Sequence, residues 1–208
     1  GGPDRPPVWF FNGDVQRGDV AYYVLALEDD GRSEWGYRWR SMDDGTMGQP
    51  GEPVLTTWDQ VRRFTPPSLR PRRRRARLEA FDRGAEDRYR LAGLGLTGFA
   101  TYTFLRGFEQ AMLDLALEPE QAGALLDAIF GFERELIDLA GRWGFDGVHL
   151  QDDWGTQQGL IIAPDLWRRS FRPRYEETVE FARRRGMGVW FHCCGNIAEI
   201  VGDLYAIG

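Results

Sequence analysis

From residue 91 onward the chain alternates short apolar runs with long segments whose apolar residues recur at helical spacing, and this alternation limits the possible folds more than any other feature. The short runs fall at 91–96, 145–151 and 187–192. After the first, helical periodicity resumes through Leu117. Beyond Pro119, a residue suited to a first helical position, Leu125, Ile129, Phe132, Leu136, Ala140 and Trp143 form one stripe at steps of four and three. Glu120, Asp127, Arg134, Glu135 and Asp138 lie opposite it, and Gly144 closes the helix. After the second run, Pro164 opens a helix with an expected kink near Pro173; Trp167, Phe171, Tyr175, Val179 and Ala182 lie on its inner side. Arg183, Arg184 and Arg185 occupy its last turn, where cations suit the helix dipole, and Gly186 ends it. A further helix starts at 197–204.

Strands joined by helices of this length pair in parallel through right-handed crossovers. A doubly wound sheet and a barrel both satisfy that rule, but no phosphate-binding glycine fingerprint opens any of these helices, which argues against the first. The expected fold is therefore α/β, a single (β/α)8 TIM-barrel domain over 1–208. A complete barrel takes about 250 residues. The chain has 208, begins at Gly1 and stops within a helical pattern at Gly208, so the expected barrel is incomplete, lacking C-terminal strands and part of the N-terminus.

The first third is less regular. Residues 7–11 read as a buried strand running into an Asn12-Gly13-Asp14 turn. Residues 20–27, rich in Val, Tyr and Leu, are followed by Asp29-Asp30-Gly31 and by alternate aromatics over 35–39, which predicts a hairpin inserted around 20–47. Residues 45–53 read as a loop, and Thr57 as the cap of a short helix over 58–64. Pro66 and Pro67 break the chain before an arginine-rich segment that is expected to be helical through Tyr89.

The formal charge is −6, no apolar run approaches the roughly 20 residues of a membrane span, and no charged-then-apolar leader is visible. The two cysteines, Cys193 and Cys194, are adjacent and make a poor disulfide framework, which points to a reduced, cytoplasmic setting. The arginine run over 70–77 invites a nucleic-acid reading. Its acidic neighbours Glu79, Asp82, Glu86 and Asp87, and the lack of an aromatic platform beside it, favour a solvated linker and helix start. Neither nucleic acid nor membrane is expected as a partner.

Two loops carry the residues that could do chemistry. In His192-Cys193-Cys194-Gly195-Asn196, extended backbone puts residues two apart on one side, with Cα atoms about 7 Å apart. His192 and Cys194 can thus share a metal ion, imidazole and thiolate being a favoured zinc pair, while Cys193 points toward the helices. The plain alternative is a satisfied core histidine between small buried cysteines. In Asp152-Asp153-Trp154-Gly155-Thr156-Gln157, adjacent carboxylates at a strand end suit a general base, a substrate anchor or a metal ligand. The alternative is a turn cap paired with an arginine. His149 and Gln151 share the parity of Asp153. Asn12 and Asp14 either join the same mouth or form an Asx turn. Glu34-Trp35-Gly36 reads as a lid or a hairpin edge, and Trp35, Trp39 and Trp154 as pocket lining or core.

These segments resemble the uroporphyrinogen decarboxylase superfamily, including its cobamide-dependent methyltransferase branch. The matching stretches are Asp4-Arg5-Pro6-Pro7-Val8-Trp9, Glu34-Trp35-Gly36, Leu105-Arg106-Gly107-Phe108-Glu109, Gly144-Phe145-Asp146-Gly147-Val148 and the two loops above. Decarboxylases of the superfamily carry an Arg-Gln-Ala-Gly-Arg stretch after the Pro-Val-Trp strand, where this chain reads Phe11-Asn12-Gly13-Asp14-Val15-Gln16-Arg17, without the arginine fork that holds substrate carboxylates. The methyltransferase branch has a zinc-binding His-x-Cys-Gly motif, matched by His192, Cys194 and Gly195, and completed by a cysteine that would lie beyond Gly208.

The resemblance implies a zinc-dependent, corrinoid-linked methyltransferase acting on a thiol, with His192 and Cys194 as metal ligands and Asp152 and Asp153 as catalytic groups. Asn12, Asp14, His149, Gln151, Trp154 and Gln157 would contact a small-molecule substrate. A corrinoid methyl donor, a corrinoid-protein partner and a homodimer belong to the same expectation. The alternatives are a metal-free decarboxylase of a tetrapyrrole or small acid, and a non-catalytic barrel that binds corrinoid or substrate.

Overall fold

In the computed structural model, which describes residues 8, 18–40, 42, 49–69, 72–82 and 87–208, four strands form one parallel sheet. In chain order the strands and helices are β1 (Val20–Val24), β2 (Glu28–Asp29), β3 (Arg32–Ser33), β4 (Trp39–Arg40), β5 (Gln49–Pro50), α1 (Trp58–Arg63), α2 (Arg72–Asp82) and β6 (Tyr89–Leu96). They continue with α3 (Gly98–Arg106), α4 (Phe108–Leu117), α5 (Pro119–Arg142), β7 (Gly147–Gln151), α6 (Pro164–Ser170), α7 (Arg172–Arg183), β8 (Gly188–His192) and α8 (Ala198–Ile207).

The sheet order is β1-β6-β7-β8. Each of these strands lies beside the next one in sequence, and the register runs Val24↔Gly93, Gly93↔His149, His149↔Trp190 and Gln151↔His192. A parallel sheet that advances one strand at a time with helices between is compatible with part of an α/β barrel. No helix among the described residues is long and apolar enough to cross a membrane.

The long helices form for the reason their patterns suggest. In α5, Leu125, Ile129, Phe132, Leu136 and Ala140 are buried against the sheet and α7, with Pro119 in the first turn. Burying each of the larger of these side chains is worth about 1.5–3 kcal/mol. Two helices are divided differently from the pattern. The segment ending at Leu117 breaks at Gly107, whose φ of 83° ends α3 and starts α4. The expected kink near Pro173 falls at Phe171; Pro173 lies in the first turn of α7, where its missing N–H costs nothing.

Four expectations in the first half require correction or lie outside the description. The strand over 7–11, with Asn12 and Asp14 after it, falls outside the described residues except for Val8. Residues 20–24 form no hairpin with 35–39: they are a strand of the main sheet, paired in parallel with β6. The antiparallel pairs are the short β2–β3 and β4–β5, so the excursion from the sheet starts after Val24. Tyr89 ends no helix but begins β6, because Val20 is its sheet partner.

The arginine run is not wholly solvated. Arg74 is 1% exposed; it donates to Leu25 O at 3.1 Å and to Glu34 Oε2 at 2.5 Å, while Glu34 Oε1 accepts from Leu27 N at 2.9 Å. This buried pair ties α2 to the chain leaving β1. Removing one partner of such a pair costs about 3–5 kcal/mol, because the other charge is left buried.

Candidate metal centre at the ends of two adjacent strands

The strands β7 and β8 end side by side, and the loops after them are joined through backbone. Asp152 N–H donates to His192 O at 3.1 Å, Gly155 N–H to Cys194 O at 3.2 Å, and Asn196 N–H to Thr156 O at 2.7 Å. The approach is close enough to require glycine on both loops. A Cβ on Gly195, whose φ is +78°, would lie 2.2 Å from Gly155 O, and one on Gly155 would lie 2.6 Å from Asn196 N.

This clamp sets three donors at the strand ends. Cys194 Sγ lies 3.4 Å from His192 Nε2, and His192 Nε2 lies 3.7 Å from Asp153 Oδ1. Asp153 Oδ1 also accepts from Cys194 N at 2.8 Å, which fixes the carboxylate over the turn. The three donor atoms all fall within 4.8 Å of one another. Tetrahedral zinc with ordinary bond lengths separates its donors by about 3.4–3.6 Å, so only small side-chain movements are needed. The residues are half-exposed to exposed, so an ion held there would be open to solvent. Burial, with the neighbouring Asp153 carboxylate, raises the Cys194 thiol above its ordinary range. Cys193 lies apart: its sulfur accepts from Trp154 N at 3.1 Å, and burial pushes its thiol up to about 11.

Asp152 is placed otherwise. It is 1% exposed, and its two oxygens accept from Phe99 N and Ala100 N, each at 2.8 Å. Tyr175 OH also donates to it, and in turn accepts from Trp154 Nε1 at 3.1 Å. The carboxylate thus caps α3, not the turn that follows it. Beside it, Glu133 Oε1 accepts from Gly98 N at 2.7 Å. Burial pushes Asp152 up to about 7 and Glu133 up to about 8, against the opposing pull of the helix amides.

Of the other sequence-chosen residues, His149 is buried, shares a 3.2 Å hydrogen bond between its Nδ1 and Tyr22 OH, and sets its ring edge-on to His192 with centroids 6.2 Å apart. Burial first, and His192 second, lower its pKa to about 4, so it is neutral at pH 7. Gln151 sits opposite His192 and lines a cavity described below. Trp154 is corrected from substrate contact to core: it is fully buried, stacks on Phe99 at 4.3 Å and packs against Phe171 at 4.5 Å. Gln157 is exposed in the turn that Thr156 and Gly159 close. Trp35 is likewise core, against Phe64 and Phe132, whereas Trp39 lines the cavity.

Sequence reasoning overlooked Glu133, Tyr175 and Tyr22. Glu133 carried a signal, since it falls four residues after Ile129 and four before Ile137, in the middle of a buried stripe. Tyr175 was visible only as an apolar-face residue, and Tyr22 only as a strand former.

No family model matches the chain, and no curated protein matches it. Among solved structures, the chain is similar to a methyltransferase from Methanosarcina mazei, with a TM-score of 0.67 and 18% identity, over 84% of this chain and 51% of that one. At that identity the likeness shows a shared fold. The chain spans about half the length of the structure it matches.

Proposed function

We propose that the chain forms part of a (β/α)8 barrel of the uroporphyrinogen decarboxylase superfamily and serves a zinc-dependent methyltransferase that passes a methyl group from a methylated corrinoid to a thiol. The observation that carries this reading is the convergence of Asp153, His192 and Cys194 at the C-terminal ends of β7 and β8, the end of a parallel sheet where chemistry collects. The methyltransferase from Methanosarcina mazei that shares the fold is consistent with transfer, and the lack of an arginine fork in the sequence over 11–17 is what argues against decarboxylation of a tetrapyrrole.

An oxygen, a nitrogen and a sulfur donor with an open side fit a catalytic zinc. Zinc held there would lower the pKa of an acceptor thiol, ordinarily near 8.5, so that it reacts as thiolate near pH 7. His192 and Cys194 would be the principal ligands, and Asp153, which holds the Cys194 amide, would offer a donor from this chain beside the cysteine expected beyond Gly208. His149, uncharged and edge-on, sets the orientation of the His192 ring. Asp152, capping α3, fixes the start of the loop from below. A methylated corrinoid would supply the methyl group, its carbon–cobalt electron pair remaining with the donor, and the thiolate beside Asp153, His192 and Cys194 would receive it.

The test is metal content of the full-length protein. Near-stoichiometric zinc is expected, together with its loss in His192→Ala/Cys194→Ala and loss of methyl transfer from methylcobalamin to a thiol. Unchanged zinc in the double variant would end the proposal.

A further inference from the structure

A cavity of about 490 Å³ opens at the C-terminal ends of β1, β6 and β7, within the size range of small-molecule sites. Val24, Leu27 and Leu96 give it apolar walls, Tyr37 and Trp39 give it flat aromatic ones, and Gln151 stands on the side toward β8. Trp39 is held by stacking on Phe104 at 5.3 Å, and Tyr37 meets the same ring edge-on at 5.1 Å, so the aromatic wall is pre-formed. Gln151 is the sheet partner of His192 and lies two residues before Asp153. Neighbouring strands are about 4.8 Å apart, so Gln151 on the cavity wall stands one strand spacing from His192 of the three-donor group.

The charge of the lining decides what fits. Among its described residues Glu28 is the one charged side chain, and it is acidic. Burial pushes Tyr37 up to about 12, so that wall is neutral near pH 7. A carboxylate or sulfonate entering here would lose water without gaining a cation from the described lining, since the nearby Arg73 is already paired with Asp29, and would meet the Glu28 carboxylate. A flat apolar group gains contact area and ring stacking. A cationic group gains from Glu28 and from the faces of the aromatic rings.

We propose that this cavity holds the body of the acceptor, and that the acceptor is an uncharged or cationic small molecule with an apolar, preferably aromatic, group instead of an anionic thiol. The substrate class rests on the function proposed above, but occupancy of the cavity does not.

The experiment uses the full-length, zinc-loaded protein and compares benzyl mercaptan and cysteamine with 3-mercaptopropionate and 2-mercaptoethanesulfonate, by calorimetric titration. Binding of the first pair is expected to be at least about ten-fold tighter, the scale of one aromatic contact or one unpaired buried charge. Trp39→Ala should weaken benzyl mercaptan about ten-fold and leave zinc content unchanged. Should that variant unfold, Leu96→Trp, which fills the cavity, should give the same loss. Glu28→Lys should raise affinity for 3-mercaptopropionate. Equal or tighter binding of the anionic thiols, or indifference of benzyl mercaptan to both cavity variants, overturns the inference. Benzyl alcohol, which lacks the sulfur, should bind His192→Ala/Cys194→Ala as it binds the parent. Zinc loss without loss of transfer would sink the metal mechanism alone; failure of benzyl alcohol to bind either protein sinks the cavity assignment alone.

Discussion

Asp152 and Asp153 are covalent neighbours whose carboxylates serve different elements. Asp152 holds the amides of Phe99 and Ala100, each at 2.8 Å, whereas Asp153 holds the amide of Cys194 at 2.8 Å and stands 3.7 Å from His192 Nε2. Successive side chains near a strand end alternate in direction, so one carboxylate goes under the sheet edge to a helix and the other to the rim. One is a buried cap and the other a candidate ligand.

Substitution should separate the two roles. Asp152→Ala leaves two buried amides without their acceptor and should cost about 2–4 kcal/mol in denaturant unfolding. Asp153→Ala, at an exposed position, should change stability by no more than about 0.5 kcal/mol. Its effect should appear in zinc affinity, lowered about ten-fold or more in a chelator competition. The opposite pattern would refute the division of labour.

The buried acids make stability depend on pH in an unusual direction. Glu133 and Asp152 have folded-state pKa values of about 8 and about 7, above their ordinary values of 4.5 and 3.8, with burial the chief cause. The folded state therefore binds protons more tightly than the unfolded one. Their contribution is fully present below about pH 4 and is lost as pH rises through 7 and 8. Glu133→Gln keeps an acceptor for Gly98 N–H and removes the charge. It should flatten the fall in melting temperature between pH 5 and about pH 9, and the variant should be the more stable protein at the alkaline end. A wild-type slope in Glu133→Gln would count against the shared burial penalty.

Much of this arrangement was readable in the residues, and the parts that were not have identifiable causes. The parallel strands and long helices follow from periodicity, which extends over many residues and reports a buried face. The convergence of His192 and Cys194 follows from strand parity, and the structure puts their donors 3.4 Å apart. The role of Asp152 was not readable, because its partners Phe99 and Ala100 are more than fifty residues away and a backbone amide leaves no trace in residue type. Residues 20–24 suited a hairpin locally; only pairing with β6 decides their place. Arg74 read as part of a solvated run and Glu34 as part of a lid or hairpin edge, since charge alone does not reveal that one helix turn faces inward.

The loop clamp should tolerate no side chain. In Gly195→Ala the new Cβ would sit 2.2 Å from Gly155 O, at a φ of +78° that alanine adopts poorly. A loss of about 1–3 kcal/mol is expected from backbone strain and displacement. Because Cys194 O accepts from Gly155 N, the shift should also carry the sulfur away from His192. With cobalt(II) as a spectroscopic substitute, the sulfur-to-metal charge-transfer band should weaken or vanish. A variant with the parent's melting temperature and band would show that the loops can part without cost.

Gly93 and Tyr22 offer a test in which one substitution should change sign with its background. A Cβ on Gly93 would lie 2.2 Å from Tyr22 Oη and 2.6 Å from Cζ, so Gly93→Ala must push the ring aside and break its 3.2 Å hydrogen bond to His149. Overpacking of this kind costs about 1–3 kcal/mol, and the lost buried hydrogen bond adds about 1 kcal/mol. Tyr22→Phe would not relieve the clash, because Cζ and Cε2 remain at 2.6 and 2.9 Å. Tyr22→Ala would. In that background the backbone at Gly93 has no positive φ to oppose a side chain, so Gly93→Ala should be neutral or stabilising by up to about 1 kcal/mol, through a less flexible unfolded chain. The double-mutant cycle should therefore give a coupling of about 2 kcal/mol or more, where independent sites give less than about 0.5 kcal/mol. Additive effects would mean that the tyrosine can leave His149 freely, and that the ring behind His192 is not held from β1.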